Sequence, residues 1–335
     1  MSFAIPVGIP PVQNASWRAV SAQSHIPLNI RLNTRLHMRL HSMEIGPRLL
    51  VALLRLLQHL PMPALVAVGR GVGALLHRFG HRRRRIALRN LELCFPHQSP
   101  AERAAVVREH FALLGRSLVE RALLWYAPVE RLRGLVHVEG DVHLAERSPR
   151  PVMWLVPHFL GLEVAGVAVQ LFQARIGVDI YQPQRSPYFD RVLKQGRLRF
   201  GRGEALPRGV NIRQLMKRIK DGQPFFNMPD QDFGEKDAAF VPFFGVPAAT
   251  LLAPSRMARA LDMVVQPVLV DMLPGGQGWR VRFLEPWTDW PTDDALADTA
   301  RMNAFIEAQI LRDPAQYLWV HKRFKTRPPG EPSLY

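Results

Sequence analysis

A histidine and a glutamate five residues apart, His158-Phe159-Leu160-Gly161-Leu162-Glu163, close a short apolar run, Val152-Met153-Trp154-Leu155-Val156-Pro157. The run reads as a buried strand, and the residues after Gly161 can start a helix. A histidine at the end of a strand can face a cleft, and a nearby carboxylate can orient its ring and stabilise the protonated form. In that arrangement Nε2 of His158 takes a proton from an attacking hydroxyl, while Glu163 holds the ring and offsets its charge. The first turn of the new helix can present backbone N–H groups to a developing oxyanion. On pattern alone the pair is equally well a hydrogen-bonded core histidine and a surface glutamate. Its place at a strand end favours catalysis.

Further along the chain, three other groups carry chemistry. Pro229-Asp230-Gln231-Asp232-Phe233-Gly234 follows a short strand. Its two carboxylates can bind a metal, position a polar group, or simply make an Asx-type turn. No third acidic ligand lies near, so Asp230 and Asp232 read as scaffolding of a site, without metal. Phe240-Val241-Pro242-Phe243-Phe244-Gly245 reads as a long apolar loop that either lines an acyl-chain pocket or belongs to the core. Trp319-Val320-His321-Lys322-Arg323-Phe324-Lys325-Thr326-Arg327 interleaves cations with aromatic rings and can grip phosphate or nucleic acid. Arg185, Arg191, Arg197 and Arg199 form a second basic set. No phosphate-binding glycine loop is present, and Gly69-Arg70-Gly71-Val72-Gly73 has no strand before it, so a dinucleotide fold is not expected. No G-x-S-x-G elbow occurs. The single cysteine, Cys94, excludes an intrachain disulfide framework.

The elements that must position these groups alternate. Ser99-Pro100-Ala101-Glu102 is a capping box opening a helix that runs to about Tyr126. Strands are expected at 135–138, 152–156, 176–181, 224–228, 264–270 and 280–283. Helices are expected at 164–172, 188–200, 211–220, 253–261 and 293–311. Strand–helix alternation predicts an α/β fold, a mixed, mostly parallel sheet covered by helices.

The 335 residues are 47% hydrophobic, enough for a sizeable core, and the formal charge is +16, which calls for an anionic partner. Residues 1–43 carry four prolines and four arginines and no acidic residue. They read as a disordered basic extension, or as an artefact of start-codon choice. Residues 44–90 read as a membrane-associated helical anchor. Two apolar arms of about 16 residues flank Pro61 and Pro63, short of the ~20 residues a spanning helix needs. Arginines inside them fit two amphipathic arms lying in the interface, or one tilted anchor; the alternative is a buried helical hairpin with a solvated charge run. The cluster His81-Arg82-Arg83-Arg84-Arg85 beside them suits anionic headgroups, at about 1 kcal/mol per basic residue. Residues 91–335 read as the catalytic domain.

Taken in order, these segments resemble the lauroyl/myristoyl acyltransferases of bacterial lipid A biosynthesis, within the lysophospholipid acyltransferase superfamily. The resemblance covers about Ile45 to Tyr335. It rests on the His158–Glu163 motif, on Gly196-Arg197-Leu198-Arg199, on the Pro229–Gly234 turn with the aromatic segment, and above all on Gln316-Tyr317-Leu318-Trp319 through Pro328. It implies transfer of a fatty acyl group from a thioester, usually of acyl carrier protein, to a hydroxyl of a phosphorylated lipid A precursor. His158 would be the base and Glu163 its partner, with no cofactor or metal, at the cytoplasmic face of the inner membrane among anionic lipids. Nucleic acid is not an expected partner. Substrate contacts are expected from Gln182, Arg185, Arg197, Arg199, Asp230, Asp232, Arg323 and Lys325. One departure stands out: where many members have Tyr-Arg-Pro, this chain has Tyr181-Gln182-Pro183, with Arg185 three residues on. The same chemistry on another lipid, or a non-enzymatic basic membrane- or nucleic-acid-binding protein, are the alternatives.

Overall fold

Short apolar runs separated by amphipathic helices can bury both faces of a strand only if helices cover the sheet on both sides, and the chain does this. The structure, a computed structural model, describes residues 44–335, which form one unit. The basic extension over residues 1–43 lies outside the described residues. Among the described residues there are nine strands: β1 (Val136–Gly140), β2 (Val152–Leu155), β3 (Gly177–Tyr181), β4 (Gly203–Pro207), β5 (Phe225–Asn227), β6 (Ala238–Phe243), β7 (Val246–Leu251), β8 (Val264–Met272) and β9 (Trp279–Phe283). Seven of them form one sheet in the order β1-β9-β8-β2-β5-β3-β4, and β6 pairs with β7 alone. Within the large sheet every neighbour is parallel except β8 with β9.

The helices are α1 (residues 44–57), α2 (Met62–Phe79), α3 (His81–Cys94), α4 (Pro100–Val119), α5 (Arg121–Tyr126), α6 (Val129–Leu135), α7 (Leu144–Arg147), α8 (Leu162–Leu171), α9 (Pro187–Arg197), α10 (Ile212–Lys220), α11 (Ala253–Ala260) and α12 (Ala295–Arg312). All four residues of β2 are buried, and their alternation divides the core. Trp154 joins a cluster with residues of α1, α2, α5, α8 and α9. Met153 and Leu155 join a second cluster with α3, α10, α11, α12 and the β6–β7 hairpin. At about 1.5–3 kcal/mol for each large apolar side chain removed from water, this central strand is where burial stabilises the fold most.

Three local outcomes differ from the sequence expectation. The helix opened at Ser99 has its capping box, with Glu102 N–H on Ser99 Oγ at 3.3 Å and Ser99 N–H on Glu102 Oε2 at 2.7 Å. It stops at Val119, however, and α5 starts afresh after Glu120. The Glu120 carboxylate accepts from Arg116 Nε at 2.8 Å and from Trp279 Nε1 at 2.9 Å, so the break is fixed by a buried ion pair that reaches β9. Strand β4 was not anticipated. It is an edge strand bonded only to β3, and Pro207 is tolerated at its end because no further neighbour needs the missing N–H. The aromatic segment expected as a loop is the antiparallel β6–β7 hairpin. Its turn places Phe244 at φ 50° and Gly245 at φ 76°. Two successive positive φ values match a type I′ turn, normally signalled by Asn-Gly. A phenylalanine in the first position hid it.

The N-terminal helices pack onto the catalytic unit. Arg48 lies over the Tyr188 ring and Arg55 over the Tyr126 ring, each 5.5 Å from the centroid, so the two arginines face the protein. Val51 and Leu54 are buried on the same side, while both arginines remain exposed to solvent. The opposite face points outward, with Leu49 66%, Leu53 51% and Leu56 70% exposed, continued by Leu75 and Phe79 of α2. Among the described residues, no helix is long and apolar enough to cross a membrane. The expected apolar helical membrane anchor over residues 44–90 is therefore not supported.

The Gly69-Arg70-Gly71-Val72-Gly73 run lies inside α2, where glycines let it touch α4. A Cβ on Gly115 would sit 2.2 Å from the Gly69 carbonyl oxygen, and one on Gly73 would sit 2.2 Å from that of Phe111. Gly115→Val is expected to lower stability by about 2 kcal/mol or more through overpacking. Gly71→Ala, which meets nothing within 4 Å, should be neutral or slightly stabilising. Thermal unfolding of the two variants checks this contact.

Candidate active site

Parallel strands place the loops after their carboxyl ends side by side, and a ligand crevice forms there. The loop after β2 and the loop after β5 meet in this way. Val156 N–H donates to the Asn227 carbonyl at 2.8 Å, after which both chains turn. The His158 backbone N–H donates to the two Asp230 carboxylate oxygens at 3.2 and 3.0 Å, and His158 Nδ1 lies 2.7 Å from Asp230 Oδ1. An ionised carboxylate only accepts, so Nδ1 carries a proton, and in the neutral ring the lone pair is on Nε2. Nε2 has no protein hydrogen-bond partner among the described residues, and the His158 side chain is 14% exposed. Burial pushes the Asp230 carboxyl up. The His158 charge, together with hydrogen bonds from its ring and backbone, more than reverses this and holds it below the ordinary range. The Tyr317 phenol lies beside the same carboxylate, and burial and the Asp230 charge drive its pKa well upward.

The C-terminal segment is the third wall. Phe159 and Tyr317 form an antiparallel bridge. Leu160 N–H donates to the Gln316 carbonyl at 2.8 Å and Leu318 N–H to the His158 carbonyl at 3.0 Å. The main chain of His158 is thus held from two directions.

The carboxylate holding the imidazole is therefore Asp230, and the expectation that Glu163 does so is corrected. After Gly161 the chain enters α8, which turns Glu163 toward α5 and α9. There Arg197 grips it with both Nε, at 2.9 Å, and Nη2, while Arg121 Nη2 approaches at 3.5 Å. Burial would raise the Glu163 pKa, but the charges of Arg197 and Arg121 bring it down to about 2. Arg197 is raised in turn, despite burial, by Glu163 and Asp179. Of the helix-start amides, those of Leu162 and Val164 already donate to Phe159 and Gly161 carbonyls.

Other expected site residues separate into two kinds. Asp232 is a clamp: it accepts from Thr326 N–H at 2.7 Å, Thr326 Oγ1 at 2.8 Å and Gly234 N–H at 3.0 Å, with Lys325 Nζ at 3.7 Å. Its own N–H donates to His321 Nε2 at 3.1 Å. Burial and the nearby His158 charge lower the His321 pKa to about 4, which keeps that nitrogen an acceptor. Arg323 is 1% exposed and donates to the Ala249 carbonyl at 2.9 Å and to Thr250 Oγ1, with its guanidinium over the Phe243 ring. It ties the hairpin to the C-terminal segment, and its burial leaves no free donor face for a substrate. Arg199 donates to the Ala127 carbonyl and stacks on Phe200, again binding protein. Gln182 and Arg185, beyond the end of β3, are exposed, and the structure does not bring them to His158.

Between α8 and the sheet lies a half-open pocket with a cavity volume of about 70 Å³. Leu124, Trp125, Leu162, Val167, Phe226 and Met228 give it apolar walls, and Glu163 and Arg197 stand at one side. The β6–β7 hairpin, expected as a possible wall, packs in the opposite core cluster. Asp179, on β3, also lines the pocket. Burial raises its carboxyl to about 6, with Arg197 opposing and Glu163 adding to the rise. Sequence reasoning missed it, although a charged residue between Val178 and Ile180 in a buried strand is a usable signal.

A raised carboxyl pKa favours the folded state below it. Between the ordinary aspartate value and about 6, the unfolded chain ionises first, so this group's contribution falls as pH rises through that window. Asp179→Asn is accordingly expected to melt at a higher temperature than the wild type at pH 8 and to lose that advantage at pH 4. Paired melting curves at the two pH values check it.

Residues 34–326 match the family model described as bacterial lipid A biosynthesis acyltransferase. The chain is 37% identical over 279 residues to the lipid A biosynthesis palmitoleoyltransferase of Escherichia coli (strain K12), covering 82% of this chain and 90% of that protein. It is 35% identical over 288 residues to the lipid A biosynthesis lauroyltransferase of the same organism, covering 85% and 93%. To the myristoyltransferase it is 32% identical over 275 residues, covering 82% and 83%. With a family model spanning most of its length and relatives more than 30% identical over most of both chains, the chain belongs to the bacterial lipid A biosynthesis acyltransferases.

Proposed function

We propose that this acyltransferase moves a fatty acyl group from the thioester of acyl carrier protein to a hydroxyl of a phosphorylated lipid A precursor, with His158 as general base. The observation that carries this is the imidazole of His158, tied at Nδ1 to a buried carboxylate and unpartnered at Nε2, at the crevice end of the sheet. Nε2 accepts the proton of the acceptor hydroxyl as its oxygen attacks the thioester carbonyl. Asp230 stabilises the resulting imidazolium. Collapse of the tetrahedral adduct breaks the carbon–sulfur bond, and the imidazolium returns its proton to the departing thiolate. Glu163 and Arg197 form a fixed pair in the lining of the pocket that takes the acyl chain. Arg185 and Lys325 are exposed cations that can meet acceptor phosphates.

The working surface is the cytoplasmic face of the inner membrane. Support comes from the outward row Leu49, Leu53, Leu56, Leu75 and Phe79, beside exposed Arg82 and Arg85. Apolar side chains lying in the headgroup boundary, with cations over anionic lipid, hold a protein at a membrane without crossing it.

Incubation of the purified chain with acyl carrier protein thioesters and a lipid A precursor should give an acylated product by mass spectrometry. Transfer to no lipid acceptor with any chain length would sink the proposal. His158→Ala is expected to lose at least ~10²-fold in rate, and Asp230→Asn to lose a comparable factor with an altered pH profile. A near-normal rate for His158→Ala rejects the base assignment. The double change Leu53→Asp and Leu56→Asp should weaken sedimentation with anionic vesicles while leaving the fold intact by circular dichroism. Unchanged sedimentation would move the docking face elsewhere.

A further inference from the structure

The turn Pro229–Gly234 holds two imidazoles, and it holds them in opposite senses. The Asp230 carboxylate accepts from His158 Nδ1 at 2.7 Å, which fixes a proton on that nitrogen. Two positions on, the Asp232 backbone N–H donates to His321 Nε2 at 3.1 Å. A backbone N–H can only donate, so Nε2 of His321 is bare and the proton of its neutral ring sits on Nδ1. Burial and the His158 charge lower the His321 pKa to about 4, with Arg323 adding to the fall and Asp230 and Asp232 opposing it, so the ring is neutral near pH 7. One turn thus presents a ring with a free lone pair and a ring with a free N–H.

The backbone keeps the two residues together. Leu318 N–H donates to the His158 carbonyl at 3.0 Å, and His321 N–H folds back onto the Leu318 carbonyl at 3.2 Å. Asn90 Nδ2 donates to the Trp319 and His321 carbonyls, each at 2.7 Å. Nδ1 of His321 has no protein partner among the described residues, and it is not sealed from solvent. The residue lines an open groove with a cavity volume of about 530 Å³, whose other walls include Leu76, Phe111, Leu114, Leu318 and Val320. In such apolar surroundings a donor acts on a nearby charge more strongly than it would in water.

The step begun by His158 puts negative charge on the thioester carbonyl oxygen, and that charge needs a donor. The loop after β2 has few to offer, because the amides of His158, Phe159, Leu160, Leu162 and Val164 are committed to protein acceptors. Resting on the acyl-transfer reading above, we propose that His321 is a second catalytic residue, a neutral imidazole whose Nδ1–H donates to the oxyanion of the tetrahedral adduct. Its proton is not transferred. As His158 takes the acceptor's proton, its new positive charge makes a second cation close by less favourable still, so His321 keeps a single hydrogen through the step.

Two substitutions separate this role from a structural one. His321→Gln sets an amide oxygen where Nε2 accepts from Asp232 and removes the donor at Nδ1. His321→Asn does the reverse, with an amide N–H in place of Nδ1–H. With acyl carrier protein thioesters and a lipid A precursor, His321→Gln is expected to lose about 10²-fold in kcat, with KM for either substrate little changed and a melting temperature near that of the wild type. His321→Asn should recover at least about 10-fold of that loss although it melts earlier. Both should keep the shape of the wild-type pH profile, because His321 passes no proton. A near-normal kcat in His321→Gln, a loss confined to KM, or the disappearance of one limb of the profile overturns the inference. Should His321→Gln not fold, His321→Asn is compared with His321→Ala, and equal rates overturn it. Absence of transfer by the wild type would sink the acyl-transfer reading, whereas equal transfer by the wild type and His321→Gln sinks this inference alone.

Discussion

A carboxylate buried in a protein must be paired, since an isolated charge there is too costly to keep. Asp230 meets this requirement chiefly through His158, by its ring and its backbone N–H, with a further hydrogen bond from Tyr317. The site depends on that one constraint. It fixes the imidazole tautomer, joins the loop after β2 to the loop after β5, and brings the C-terminal segment against both through the Phe159–Tyr317 bridge. Asp232 repeats the device one step outward, where backbone and hydroxyl donors of Thr326 hold its carboxylate. The turn Pro229–Gly234 thus works as a two-pronged anchor, one prong for the base and one for the chain that walls it in.

Two further carboxylates show how environment separates groups of one chemistry. Glu163 and Asp179 line the same pocket, and both are penalised by burial. Glu163 has two guanidinium groups within reach and drops to about 2, whereas Asp179 feels Arg197 only at a distance, and its own neighbour Glu163 as a like charge, and rises to about 6. Near neutral pH one is a permanent anion and the other sits close to its titration point. Pairs pushed apart in this way mark functional cavities more often than structural ones.

Much of the fold was legible because the relevant signals are local. The apolar run of β2, the capping box at Ser99 and the amphipathic spacing of α10 each specify their element without help. What failed was non-local. Nothing in the spacing of His158 and Glu163 reveals that α8 swings the glutamate toward Arg197 while a residue seventy positions away takes its place. Asp230 was singled out as scaffolding, but its partner was decided by strand order, β2 beside β5, which residue patterns do not encode. Arg323 looked like a phosphate-binding cation because charge reads as exposure. Its burial between Thr250 and Phe243 comes from tertiary packing alone. Strand β4 was missed for a related reason: an edge strand needs only one buried side chain, here Ala205, and leaves almost no alternation to read.

The manner in which α1 is held has one more consequence. Its arginines lie on the faces of Tyr126 and Tyr188, a contact of cation with ring at 5.5 Å, well inside a Debye length and so screened only weakly by dissolved ions. Attraction between exposed arginines and anionic headgroups is the opposite case and fades as ionic strength rises. The two attachments, helix to enzyme and enzyme to lipid, therefore answer differently to the same change in the medium. Salt can release the molecule from a bilayer with its leucine-studded helix still in place, so that detachment is a reversible parting of surfaces rather than the loss of a limb.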